Sequence, residues 1–226
     1  MLISQDKFTG LDHIIHLATG GESPSLKSHQ DAAARFFADK GLGEKSRAKI
    51  EDTYRRTQAK VGQLFNVEAD SIAFLDSATA GVNLLAYALD WQAGDNVVVA
   101  DVEFPSDVLP WTKFASQGVE VRLVRHENWH ISLEAIAAQI DERTKVVVVS
   151  LVSYFTGQRQ PLKELSELVR GRGAILLVDA THAAGVLPVD AHYADVLVSS
   201  CYKWLLGVHG TAVFYWNRER LPDLEP

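Results

Sequence analysis

Seven short apolar runs punctuate the chain from residue 71 onward. They are SIAFL (71–75), NVVVA (96–100), VEVRLV (119–124), KVVVVS (145–150), AILLV (174–178), DVLVS (195–199) and TAVFYW (211–216). Each is rich in β-branched residues and has the length of a strand. A run such as VVVV has no polar alternation, so both of its faces need cover, as in a central strand of a parallel sheet. Between the runs, apolar positions return at helical spacing. Val82, Leu85, Ala86 and Leu89 make a stripe over about 79–89. Pro161 suits a helix's first turn, Leu162, Leu165 and Leu168 supply its face, and Gly171 closes it. This alternation predicts a three-layer α/β/α domain around a seven-stranded, mostly parallel sheet. Only YKWLLGVHG separates the last two strands. A parallel crossover needs about a dozen residues or more, so TAVFYW is expected to run antiparallel.

The start of the chain reads differently. Residues 1–26 are irregular and contain ATGGESPS, a Gly/Ser/Pro loop. A helix is expected from about Ser28 to Lys40, with Ala32, Ala33, Phe36 and Phe37 on one face. A longer one follows from about Glu44 to Phe65, its apolar positions Ile50, Tyr54, Val61 and Leu64 keeping the helical period. Residues 27–226 are expected to form one domain.

Composition narrows the function classes. The formal net charge is −7 and no basic block is present, which argues against a nucleic-acid partner. No apolar run approaches the roughly 20 residues of a membrane span. MLISQDKFTG has neither the basic nor the apolar part of a secretory signal. Cys201 is the only cysteine, so no cysteine metal cluster can form. A cytoplasmic protein without a metal is the expectation.

In open α/β sheets, ligands sit at the carboxyl ends of the strands. Those ends hold Ser77-Ala78-Thr79 after the first run, and Glu103, Phe104 and Pro105 after the second. Ser153, Tyr154 and Thr156 follow the fourth, Asp179, Thr181 and His182 the fifth, and Ser200, Tyr202 and Lys203 the sixth. Each has an ordinary reading. Ser77 or Thr79 is a helix cap, Asp179 a cap or turn acid, His182 a structural histidine, Phe104 a core side chain, and Cys201 a small buried residue. Taken together they offer an anion nest at a helix start, a carboxylate, a stacking aromatic and an amine. A partly desolvated lysine is nucleophilic at neutral pH and condenses with aldehydes. These are the parts needed to hold pyridoxal 5′-phosphate. No G-x-G-x-x-G or Walker loop is present to support a nucleotide instead.

VDATHAAGVLPVD followed by ADVLVSSCYKWLLGVHGTAVFY resembles the cofactor segment of the class V aminotransferase superfamily of pyridoxal-phosphate enzymes. That group includes cysteine desulfurases, kynureninases and isopenicillin N epimerase-like proteins. DSATAGVNLLA is similar to its phosphate turn, VEFPSDVLPW to its ring-stacking segment and SLVSYFTGQRQPL to its Asn/Ser-x-x-x-Gly segment. The resemblance implies the large domain of the aspartate aminotransferase fold, fold type I. It implies a Schiff base on Lys203, Asp179 at the pyridine nitrogen, His182 near the phenolic oxygen and Phe104 on the ring. Ala78, Thr79, Ser200 and Tyr202 would hold the phosphate, and Tyr154 or Ser153 would sit beside the cofactor or substrate. It also implies an amino acid substrate, transaminase or lyase chemistry, and a homodimer. Family members continue into a small C-terminal domain that this sequence does not contain. A non-catalytic domain kept for assembly or regulation is therefore the alternative.

Overall fold

The computed structural model describes residues 3–224. Its helices are α1 (Lys27–Lys40), α2 (Arg47–Phe65), α3 (Ala78–Ala88), α4 (Pro105–Thr112), α5 (Leu133–Ala137) and α6 (Leu162–Gly171). Its strands are β1 (Ile72–Leu75), β2 (Asn96–Ala100), β3 (Glu120–Val124), β4 (Thr144–Ser150), β5 (Ile175–Asp179), β6 (Val196–Ser200) and β7 (Ala212–Trp216). Every expected strand is present, with ends within a residue of the apolar runs. The sheet order is β1-β7-β6-β5-β4-β2-β3. β7 is antiparallel to both β6 and β1, and the remaining pairs are parallel.

Apolar side chains on both faces of the central strands make the three layers. One face packs against α2, α5 and α6 through Phe65, Ile136, Leu165 and Val169. The other packs against α3 and α4 through Val82, Leu85 and Trp111. At Gly81 of α3 a Cβ would lie 2.5 Å from Val198 Cγ1, so only glycine lets this helix approach β6 and β7 so closely.

The two N-terminal helices lie where they were expected but leave most of their apolar faces open. α1 buries no side chain, and Phe36 and Phe37 of its apolar face are exposed. The longer helix begins as a 3₁₀ turn over Gly43–Ser46, and α2 buries only Gly62 and Phe65. Tyr54 and Leu64 face outward. The helical period was legible, but these faces are only partly covered: Tyr54 meets Phe74 edge-on at 5.5 Å and Val61 packs against the core, while Phe36, Phe37 and Leu64 stay exposed. Residues 3–26 hold one 3₁₀ turn, Gln5–Lys7, and a bridge from Phe8 to Leu26. No described helix is long and apolar enough to cross a membrane.

After β2 the chain turns outward to β3, and then returns to place β4 on the other side of β2. The crevice at that reversal, outside the strand ends, is where such sheets bind ligands.

Candidate active site

Five strand ends meet at this crevice. Ser77 caps α3 after β1, its Oγ accepting from Ala80 N at 3.1 Å. The first N–H groups of a helix have no partners within it, and Ala78 and Thr79 of the first turn of α3 line the cavity at that helix's positive end. Phe104 precedes α4 after β2, and Pro105 fixes that helix's first turn. Asp179 is the last residue of β5 and Ser200 the last of β6.

An inner cavity of about 120 Å³ is lined by Ala78, Thr79, Phe104, Tyr154, Asp179, His182, Ser200, Tyr202 and Lys203, together with Ser77, Ser106, Ser150 and Thr181. It adjoins an outer cleft of about 670 Å³ that shares Phe104, Tyr154, His182, Tyr202 and Lys203. All the site residues expected from the sequence therefore lie in one place, with Ser153 alone confined to the outer cleft. The Ser153 hydroxyl accepts from Thr156 N at 3.1 Å, which caps its own turn. A larger hollow of about 800 Å³, lined by Lys40, Glu44, Arg47, Ile50 and Tyr54, gathers no comparable chemistry.

Lys203 is 8% exposed, which is unusual for an ammonium group. Its Nζ lies 2.9 Å from His182 Nε2 and 5.5 Å from the centre of the Phe104 ring. Burial pushes the lysine pKa down, against the opposing pull of Asp179 and Asp107. Burial and then the Lys203 charge push His182 down to about 4, so its imidazole is neutral. A neutral ring accepting from Lys203 at Nε2 carries its proton on Nδ1. Tyr154 packs edge-on against Phe104 at 5.2 Å, and His209 stacks on Tyr202 at 4.0 Å.

Asp179 is 7% exposed. Thr181 N donates to its Oδ1 at 2.7 Å, and Thr181 Oγ1 accepts from Ser200 N at 3.0 Å, which ties the ends of β5 and β6 together. Burial raises the Asp179 pKa, while the Thr181 hydrogen bonds and the Lys203 charge hold it back. Cys201 is half-buried, and burial raises its thiol to about 11.

The sequence reading assigned no role to three parts of the site. Asp107 of α4 is completely buried, and neither of its oxygens has a hydrogen-bond partner. Glu103 receives Ser150 N on Oε1 at 2.8 Å and the Ser150 hydroxyl on Oε2. Burial raises its pKa. The N-terminal loop walls the outer cleft with Leu17, Ala18, Gly20 and Gly21, and Ser23 Oγ donates to Tyr202 O at 2.7 Å. Its Gly-Gly pair was the available signal, since a Cβ on Gly20 would reach Trp204 at 3.4 Å and His182 at 3.6 Å.

The Aminotransferase class-V family model matches residues 37–226. The chain belongs to the class V aminotransferase family. This is a family of pyridoxal-phosphate-dependent enzymes, and the seven-stranded sheet is that of their fold type I large domain. A probable cysteine desulfurase of Methanothermobacter thermautotrophicus is 32% identical over 175 residues, covering 76% of this chain and 44% of that protein. An uncharacterized protein of Schizosaccharomyces pombe is 34% identical over 172 residues, covering 74% of this chain and 40% of that protein. The solved structure of a C-DES variant, with glycine covalently linked to its PLP cofactor, superposes with a TM-score of 0.91. It is 22% identical, with 99% of this chain and 62% of that chain covered. This class V chain thus spans less than half the length of those two relatives.

Proposed function

We propose that this class V chain binds pyridoxal 5′-phosphate in the inner cavity and acts at the α-carbon of an amino acid, as a transaminase or a C–S or C–C lyase. The observation that carries the reading is Lys203, a buried amine held between a neutral imidazole, an aromatic face and the Asp179 carboxylate. The donor set fits the cofactor, with a helix start for its phosphate, a buried carboxylate for its ring nitrogen and an amine for its aldehyde.

Lys203 would hold the cofactor through its aldehyde, and as a free amine it would take and return the α-proton. Asp179 would pair with the ring nitrogen, its burial strengthening that ion pair. His182 would lie at the ring's oxygen, and Phe104 would cover the ring and exclude water. The backbone N–H groups of Ala78 and Thr79, the Thr79 hydroxyl, Ser200 and Tyr202 would hold the phosphate. Tyr154 and Ser153 would face the substrate side. When bound, the cofactor supplies an electron sink for charge developing at the α-carbon. The name of the Methanothermobacter relative supports C–S cleavage as one branch. Cys201 is given no nucleophile's part, since burial raises its thiol to about 11.

We extend the proposal to a cytoplasmic homodimer, whose second copy would cover Phe104, Tyr154 and Phe155, all exposed at the cleft mouth. Sedimentation would test the dimer. For the chemistry, purified protein with added cofactor should yield a borohydride-reducible visible chromophore that Lys203→Ala abolishes. The reading fails if the wild type binds no cofactor even in excess. Cofactor binding without turnover of any amino acid in a panel would indicate the assembly or regulatory role instead.

A further inference from the structure

Asp107 presents a problem that the proposed chemistry leaves unsolved. Its side chain is completely buried in the first turn of α4, and no donor in the described structure reaches either oxygen. A buried carboxylate in that state costs several kcal/mol. Three charged or titratable groups act on it: the Asp179 carboxylate at the end of β5, Glu103 from the turn before α4, and Lys203. Two neighbouring buried carboxylates do not readily ionise together, and Lys203 is the only cation of the cluster.

We propose that Asp107 is a neutral carboxylic acid that donates its proton in a hydrogen bond to Asp179, so that the two share a single negative charge. Asp107 is then a positioning residue. Thr181 N holds Asp179 from one side and the Asp107 hydroxyl from the other, leaving the remaining lone pairs for a cationic partner. Accepting that bond makes Asp179 a weaker base. A proton shared with a ring nitrogen therefore stays on the ring. This purpose rests on the cofactor reading, whereas the acid pair itself does not. Burial first, and the neighbouring Asp179 and Glu103 charges after it, raise the Asp107 pKa well above the usual carboxylate range.

The test compares wild type with Asp107→Asn, whose amide offers the same donor without a titrating proton, and with Asp107→Leu, which offers none. The first readout is the pH dependence of urea unfolding without cofactor. Above about pH 4 the unfolded chain releases a proton that folded wild type keeps. The folding constant of Asp107→Asn relative to wild type should therefore rise about tenfold per pH unit until Asp107 itself ionises. Infrared difference spectra at pH 7 should show a protonated-carboxyl band in wild type that is lost in Asp107→Asn. The second readout is pyridoxal-phosphate affinity, which Asp107→Asn should keep within a few-fold and Asp107→Leu should lose by about ten- to a hundred-fold. Parallel stability profiles for wild type and Asp107→Asn, with no infrared band, overturn the proposal even if cofactor binds. The expected profile without cofactor binding upholds the acid pair and removes the cofactor reading alone.

Discussion

Gly185 tests whether the backbone following the lysine is held as closely as the structure shows. This residue lies in the turn after His182 with φ +92°, and a Cβ built on it would lie 2.4 Å from Trp204 O, 2.8 Å from Trp204 C and 3.1 Å from Leu205 N. The atoms it meets are backbone, so no side-chain tip can swing away. Relieving the overlap to the 3.0 Å that real Cβ contacts respect requires the Trp204 peptide to move by roughly half an ångström or more. The left-handed φ adds about 1–3 kcal/mol of its own for a non-glycine residue. For a domain of this size each kcal/mol lowers Tm by about 2–4 °C, so Gly185→Ala should melt about 2–12 °C lower. Trp204 adjoins Lys203, and displacements approaching 1 Å at a reacting group cost about a hundredfold. Cofactor affinity should therefore fall by about tenfold or more. Gly171→Ala is the control, because it ends α6 with nothing within 4 Å of the added carbon. That substitution should be neutral or stabilise by about 0.4–1 kcal/mol. Differential scanning fluorimetry and a cofactor titration measure both effects. If Gly185→Ala melts and binds as wild type does, the loop is not clamped against that turn and the argument for a rigidly held lysine is wrong.

Three further outcomes are expected. Asp195 is fully buried and accepts from Arg170 Nε at 3.0 Å, Leu176 N at 2.9 Å and Arg220 Nε at 3.3 Å. Asp195→Ala should cost about 3 kcal/mol in urea unfolding, since it strands partly buried donors far from the cleft, and cofactor stoichiometry should not change. His182 holds a folded pKa of about 4 against 6.5 unfolded, so the unfolded chain binds the extra proton between those values. Wild-type stability should fall as pH drops from 6.5 towards 4, and His182→Gln should flatten that part of the profile; an unchanged slope would contradict a neutral imidazole. Cys201, with its thiol raised to about 11, should alkylate far more slowly at pH 7.5 than a free thiol and approach that rate only on unfolding.

The sheet was legible because its signal is local. Apolar runs buried on both faces, such as Val146 to Val149, say strand wherever they occur, and the short YKWLLGVHG connection dictates an antiparallel last strand on length alone. The N-terminal helices show the limit of the same logic. A helical period in Phe36, Phe37 and Tyr54 states that these residues share a face, and says nothing about what covers it. Burial is a property of the neighbours, and among the described residues α1 has almost none.

The site divides in a similar way. Lys203, Asp179, His182 and Phe104 could be read because each follows a strand, and strand ends in this architecture converge. Asp107 could not be read, because an acid in the first turn of a helix is the ordinary complement to the helix dipole. Its sequence neighbours, Ser106 and Val108, are unremarkable. Only the arrival of Asp179, at the end of β5, makes it a buried acid neighboured by another acid. Asp107 and Asp179 are both buried, with Glu103 and one amine close enough to act on them, so their charges are not independent. Full ionisation would bury two negative charges, with a third beside them, against one positive, in a region where an unpaired charge costs more than a fold of this size has to spare. Without a ligand, protons on the acids are the available relief. A ligand bringing a cation to Asp179 provides another, so binding and protonation at this site must be linked.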